Sequence, residues 1–389
     1  MMDSNHREYR RQWAQLLVLT AAHFVLDMFP GLMHTLLPAM QESFHLSKAA
    51  GAVVLTFFLV SANGIQVVIG HLRSEKDRPL FLYAGILLTC AVLLFTIVPN
   101  GPMAVVWLSI IATVCAAGVG MTHPEGLRAI HRLDRISSTV SSMVFMSGGI
   151  IGFAFGAWAS THLFSWWGFF GLLPFCVMSV TALLLMAAFR IRLAVERDEI
   201  HRQSGHPQRE PVSFWMVMAM ATLVASSVTI LGWIIPQRFD ELALPLSDGG
   251  IGVSIFSLSG GIGGIVMIRL AMRYGELKTI RWMLAAGIPF VIAYLCLMEH
   301  RWSAALFFFG GFFCFGSYPI MVSIARHCKG PSLGRRMGLI VGGIWLAACL
   351  LPMILGPLVD AYGTIVVVIC APIGFVLSLI LSIASRKRD

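Results

Sequence analysis

The stretch IRLAVERDEIHRQSGHPQREP, Ile191 to Pro211, is a long polar interruption in the middle of a chain that is otherwise strongly apolar. It is mixed in charge and rich in His, Gln, Gly and Pro, a composition that solvates well and has no apolar stripe to bury. On either side lie apolar runs of about 20 residues, the length that crosses a bilayer as a helix. Counting outward gives six before it, at 13–41, 49–70, 80–98, 103–127, 136–162 and 166–189. Six more follow, at 213–236, 248–272, 279–298, 302–326, 336–358 and 363–384. The interruption therefore reads as a linker, residues 191–211, between an N-terminal half at 1–190 and a C-terminal half at 212–389. It is expected to be a solvated loop with no chemistry of its own.

Composition leads to the same class. The 389 residues are 57% apolar and 12% charged, with a mean hydropathy of +0.81. A soluble domain carries about 25% charged residues, so this chain has too little polar surface to clothe itself in water. That excludes a disordered chain and an ordinary soluble enzyme. Twelve spans of about 20 residues use roughly 240 positions and leave about 150 for connections and ends. Seven of the eight cysteines sit inside apolar runs without metal-type spacing and read as small hydrophobes. The first apolar run has a basic flank, Arg7, Arg10 and Arg11, as a signal peptide would. It continues past Met28 without a small-residue cleavage site, so it is expected to be a retained first helix.

An even number of spans puts both termini on one side. Of the 28 Lys and Arg residues only Lys48, Arg238 and Arg301 fall on the opposite side, which by the positive-inside rule places both ends in the cytoplasm. The net charge of +9 is thereby topological, and its dispersal over short membrane-edge segments argues against nucleic-acid binding. Trp13, Trp215 and Trp282 at one set of helix ends and Trp107, Trp166, Trp167 and Trp302 at the other suit two interfacial belts.

Against this apolar background the polar residues inside spans carry the information. In span 1, at 100° per residue, His23, Asp27 and His34 share one stripe. Asp27 lies about 21 Å in from the cytoplasmic end, near the midplane. A carboxylate there costs about 2.5–3.5 kcal/mol to insert, and such groups face a cavity or a partner. His23, one turn away, is an available partner, and the pair could exchange a proton near neutral pH; the competing reading is a carboxylate bonded to a neighbouring helix. In span 4, Pro124 leaves the carbonyl of Gly120 without its usual donor, so a bend is expected beside His123, Glu125 and Arg128. Glu125 and Arg128 face alike, as an inner gate or as plain interfacial charges, while His123 projects from nearly the opposite side. Gln237 and Arg238 end span 7, where Arg238 either meets an anionic solute or pairs with Asp240 or Glu241. Tyr318, before Pro319 in span 10, places a hydroxyl at a bend in a cavity helix or packs in the core. The glycine series Gly148, Gly152, Gly156 and Gly260, Gly261, Gly263, Gly264 allow close helix approach and lack the features of a phosphate loop.

Six spans, a long central loop and six more spans resemble the layout of the major facilitator superfamily, in which spans 1, 4, 7 and 10 line a central cavity. Ala22-His23-x-x-x-Asp27 and His123-Pro124-Glu125-x-x-Arg128 resemble motifs of its fosmidomycin-resistance efflux family, as does span 11 with Gly338-x-x-x-Gly342-Gly343 and Gly356-Pro357-x-x-Asp360. The sequence departs from that family at Leu26, where Asn is common. It departs again in the turn after span 2, where Ser74 and Glu75 stand at the signature Asp, and at Met272 in the second half. The resemblance implies an all-α membrane protein of twelve transmembrane helices in two six-helix pseudo-symmetric halves, in a bacterial inner membrane. It implies a proton-coupled antiporter exporting a small drug-like or anionic molecule. Asp27 and His23 would handle the proton, and His34, His123, Glu125, Arg128, Tyr318, Gln237 and Arg238 would form the cavity or its gates. The expected partners are a small solute, protons and lipid, without nucleic acid or cofactor, for a monomer. The alternative reading is a divalent-metal carrier using His23, Asp27, His34, His123 and Glu125. No ATP motif, nucleophile–base pair or His-Glu-x-x-His motif suggests an enzyme.

Overall fold

The computed structural model describes residues 2–72, 77–136, 138–194, 212–328, 330, 336 and 339–384. The signature turn at 73–76, most of the linker and Gly338 lie outside the described residues. The first elements are α1 (Met2–Thr35), a bend at Leu36, a short helix Leu37–Phe44 and α2 (Lys48–Leu72). Next come α3 (Leu80–Ile97), α4 (Ala104–His131), α5 (Ser138–Trp167) and α6 (Leu173–Ala188). The second series is α7 (Phe214–Glu241), α8 (Leu246–Tyr274), α9 (Glu276–Leu297), α10 (Arg301–Ala325), α11 (Leu339–Tyr362) and α12 (Ile365–Ala384).

Among the described residues eleven apolar helical segments are long enough to cross a membrane, and one of them, Val140–Ala188, is 49 residues long. At 1.5 Å per residue it measures about 74 Å, more than twice a hydrocarbon core. It breaks at Gly168, whose φ of 57° is left-handed and open to glycine without strain. The segment therefore makes two crossings, α5 and α6, and the described residues form an all-α fold of twelve such crossings.

The chain forms two compact units, Met1–Met33 with Phe57–Gly205 and His34–Thr56 with His206–Asp389. In the first, the glycine ridge of α5 lies along α1. A methyl group added at Gly148, Gly152 or Gly156 would strike the carbonyl oxygen of Thr20, Phe24 or Met28. Both series step by four residues in the same direction, so the helices run parallel with their fourth-residue ridges in contact. Gly85 of α3 and Gly118 of α4 each abut the other's backbone carbonyl. In the second unit α8 and α10 repeat the device, with Gly260 against Phe315 and Gly264 against Pro319. The glycine runs thus pack helices.

Two local features differ from expectation. The linker starts as a docked strip: Leu193 N–H donates to Asp77 O at 2.9 Å, Ala194 N–H donates to Arg128 O at 3.1 Å, and Ile191, Leu193 and Ala194 are buried. Apolar residues at 191 and 193 flank exposed Arg192, the alternation of an extended segment on a surface. α10 and α11 each contain a widened π turn, Gly311–Phe315 and Leu339–Gly343. Such turns displace backbone groups from the regular ladder.

Candidate functional site

His23 and Asp27 stand one turn apart on α1, and the structure brings His123 of α4 to the same carboxylate. Nε2 of His23 lies 3.2 Å from Asp27 Oδ2, and Nε2 of His123 lies 3.0 Å from Oδ1. The two imidazoles meet edge to face, with centroids 5.1 Å apart. His23 is buried and its ring stacks on Phe145 of α5 at 4.2 Å, whereas the side chains of Asp27 and His123 keep 22% and 19% of their surface exposed. The carboxylate is reachable while one of its partners is sealed.

Each ring's other nitrogen is committed. His23 Nδ1 lies 2.8 Å from Phe145 O, and His123 Nδ1 lies 2.9 Å from Val119 O. A carbonyl only accepts, so Nδ1 carries the hydrogen in both rings and each neutral ring turns a bare Nε2 toward Asp27. Bare nitrogens 3.0 and 3.2 Å from an ionised carboxylate would set lone pair against lone pair. A hydrogen must occupy each contact, either as imidazolium N–H donating to carboxylate or as carboxyl O–H donating to imidazole. With both contacts made, the trio holds two protons more than its unprotonated form. Loss of the hydrogen in the His123 contact leaves the link between α1 and α4 unmade, whereas the His23 contact lies within α1.

α5 makes room for this arrangement. A methyl at Gly149 would overlap Asp27 Oδ2 and approach the His23 ring to 2.6 Å, and one at Gly126 would come within 2.9 Å of the Phe145 ring. The sequence reading passed over Gly149, attending to the packing ridge one residue away. The adjacent pair Gly148-Gly149 was the available signal: one faces the α1 backbone and the other faces its side chains. Beside the trio Leu19, Ala22, Leu26, Leu82, Thr122 and Gly126 line a small, mostly apolar recess.

The remaining candidates lie elsewhere. His34 is not part of the trio: it belongs to the second unit, buried against Gly232 of α7. Sharing a stripe was insufficient, because seven residues separate it from Asp27 by about 10 Å along the axis. Glu125 is 1% exposed and accepts the Leu82 N–H at 2.7 Å, capping the first turn of α3. Arg128 donates twice to Ala194 O, at 3.1 and 2.6 Å. Arg238 pairs with Glu241 at 3.3 Å, and Asp240 goes to Lys48 at 2.6 Å. The Asp360 carboxylate accepts the backbone N–H groups of Lys48 and Ala49 at 2.7 and 3.0 Å, capping α2. Tyr318 donates to Ile340 O and accepts from Trp345 Nε1, both at 3.1 Å, joining the widened turn of α11 to α10. Gln237 is fully buried, and among the described residues neither its Oε1 nor its Nε2 has a hydrogen-bond partner; the same holds for Trp233 Nε1 one turn earlier.

No protein-family model and no curated protein sequence matches this chain. Solved structures do match. A bacterial homologue of the human lysosomal transporter Spinster, in an inward-facing and occupied conformation, superposes with a TM-score of 0.73 at 12% identity over 96% of each chain. The nucleoside transporter NupG gives 0.73 at 14% identity over 95% of this chain and 99% of its own. A bacterial homologue of the iron transporter ferroportin, inward-facing, gives 0.63 at 14% identity over 95% and 98%. These likenesses establish that the chain shares its fold with those proteins along nearly its whole length.

Proposed function

We propose that this protein is a secondary active transporter in which the His23–Asp27–His123 trio takes up and releases protons as two six-helix halves, 1–190 and 212–389, alternate in access to the two sides of a membrane. The observation that carries this reading is the pair of Nε2-to-carboxylate contacts whose Nδ1 atoms are both held by carbonyls. Such contacts close only with hydrogens in place, so proton occupancy of the His123 contact and the tie between α1 and α4 are one variable. A hydrogen in the His123 contact forms the tie, and its departure opens it. One proton moving down about 150 mV supplies about 3.5 kcal/mol, enough for roughly a 300-fold gradient of a neutral solute.

The motifs at His23 and Asp27 and at His123 to Arg128 favour export of a small drug-like or anionic molecule from a bacterial cytoplasm, with both termini inside and the protein acting as a monomer. The solute is to be found by thermal-shift screening of purified protein at two pH values. In vesicles, Asp27→Asn is expected to fold and to exchange that solute down its gradient while losing proton-driven accumulation. Uphill transport by Asp27→Asn at the wild-type rate would remove Asp27 from the coupling role.

A further inference from the structure

We infer that the same three side chains form a binding site for one divalent transition-metal ion of the zinc or cobalt type, which occupies the place of the coupling protons and pins α1 to α4. The inference uses the trio's geometry and does not depend on protons driving transport. His23 Nε2, His123 Nε2 and a carboxylate oxygen of Asp27 all lie within 4.8 Å of one another. Tetrahedral zinc with bonds of about 2.0–2.1 Å needs its ligand atoms about 3.3 Å apart. The nitrogen-to-oxygen separations, 3.2 Å to Oδ2 and 3.0 Å to Oδ1, run to different carboxylate oxygens, and with one oxygen chosen the three ligand atoms lie within 4.8 Å, so they must close up by at most about 1.5 Å.

The surroundings match what a metal-ligating histidine requires. Each ring donates its Nδ1 hydrogen to a backbone carbonyl, Phe145 O or Val119 O, which fixes the tautomer and turns both Nε2 atoms toward the Asp27 carboxylate. Stacking on Phe145 holds the His23 ring, and Gly149 leaves room where any other side chain would intrude. Partial exposure of Asp27 and His123 gives the ion an approach and leaves a fourth position for water or solute. A divalent ion also brings the charge that two protons bring. Two imidazoles and one carboxylate suit borderline ions such as Zn2+ and Co2+ over Mg2+ or Ca2+, which take oxygen ligands.

The test uses the full-length protein in detergent or nanodiscs with any affinity tag removed, and ZnCl2 and CoCl2 as probes. Wild-type protein is expected to show saturable stabilisation against heat at one Zn2+ per chain. His23→Gln and His123→Gln should each weaken the apparent affinity by about 100-fold or more, since loss of outer-shell support alone costs 10–100-fold. Co2+ should give the intense visible absorption of a four-coordinate site, and Zn2+ should abolish it. No saturable response in wild-type protein, or an undiminished one in both variants, would overturn the inference. Should neither variant yield folded protein, the cobalt spectrum decides: weak six-coordinate bands contradict the site. Proton uptake by wild-type protein that binds no metal would leave the coupling proposal standing and remove this one.

Discussion

At the scale of single residues, Gly149 and Gln237 make opposite predictions. A methyl at 149 collides with the Asp27 carboxylate and the His23 ring, so Gly149→Ala is expected to force the trio apart and to cost about 1–3 kcal/mol. At Gly64 of α2 nothing lies within 4 Å of an added methyl, and Gly64→Ala should be neutral or stabilising by up to about 1 kcal/mol. Thermal unfolding of the two purified variants checks the contrast. Gln237 buries an amide without a hydrogen-bond partner, a cost of about 1–3 kcal/mol that an apolar side chain does not incur. Gln237→Leu should therefore raise the unfolding temperature, and an unchanged or lower one would show that the amide is satisfied in solution. Part of the site is local and could be read from sequence: His23 and Asp27 are i and i+4 on one helix, and a midplane carboxylate stands out in so apolar a chain. His123 could not be placed against them, because which side of α4 meets α1 is decided by packing between helices a hundred residues apart. Intramembrane charge, a signal by its rarity, marked His123 and Glu125 without saying that one meets a carboxylate and the other a helix end.

At the scale of elements, two carboxylates hold helix beginnings. Glu125 of α4 accepts Leu82 N–H in the first turn of α3, and Asp360 of α11 accepts Lys48 and Ala49 N–H at the start of α2. Removing such a cap costs about 0.5–2 kcal/mol, so Glu125→Ala and Asp360→Ala should each lower the unfolding temperature, with Glu125→Gln and Asp360→Asn intermediate. Lys48→Ala should cost less than about 1 kcal/mol, because the ion pair with Asp240 is partly exposed. A loss for Lys48→Ala as large as that for Asp360→Ala would contradict the assignment of the cap to Asp360. The spans themselves were legible, since twenty apolar residues in a row admit few alternatives. Their joints were less so. The bend at Leu36 comes just before Pro38, which has no N–H for the ladder, and in the widened turn of α11 the Tyr318 hydroxyl competes for Ile340 O. Hydropathy does not record that competition.

At the scale of the whole molecule, the fold was legible from the linker and the count of spans, because the bilayer fixes span length and composition fixes how many the chain can build. The solute of the proposed transport was not, because solute recognition depends on side chains drawn from several helices. Motion can be tested without knowing the cargo. With exposed Cys296 and Cys370 replaced by serine, spin labels at His131→Cys and Tyr274→Cys, exposed sites at the ends of α4 and α8, report the distance between the halves in nanodiscs. The pH dependence of that distance distribution tests the coupling claim most directly. A shift between two populations as pH is lowered from 8 to 5, absent in Asp27→Asn and altered in His123→Gln, is the result predicted. An identical shift in the Asp27→Asn protein, or none in wild type, would contradict the claim that protons at this trio drive the exchange between states.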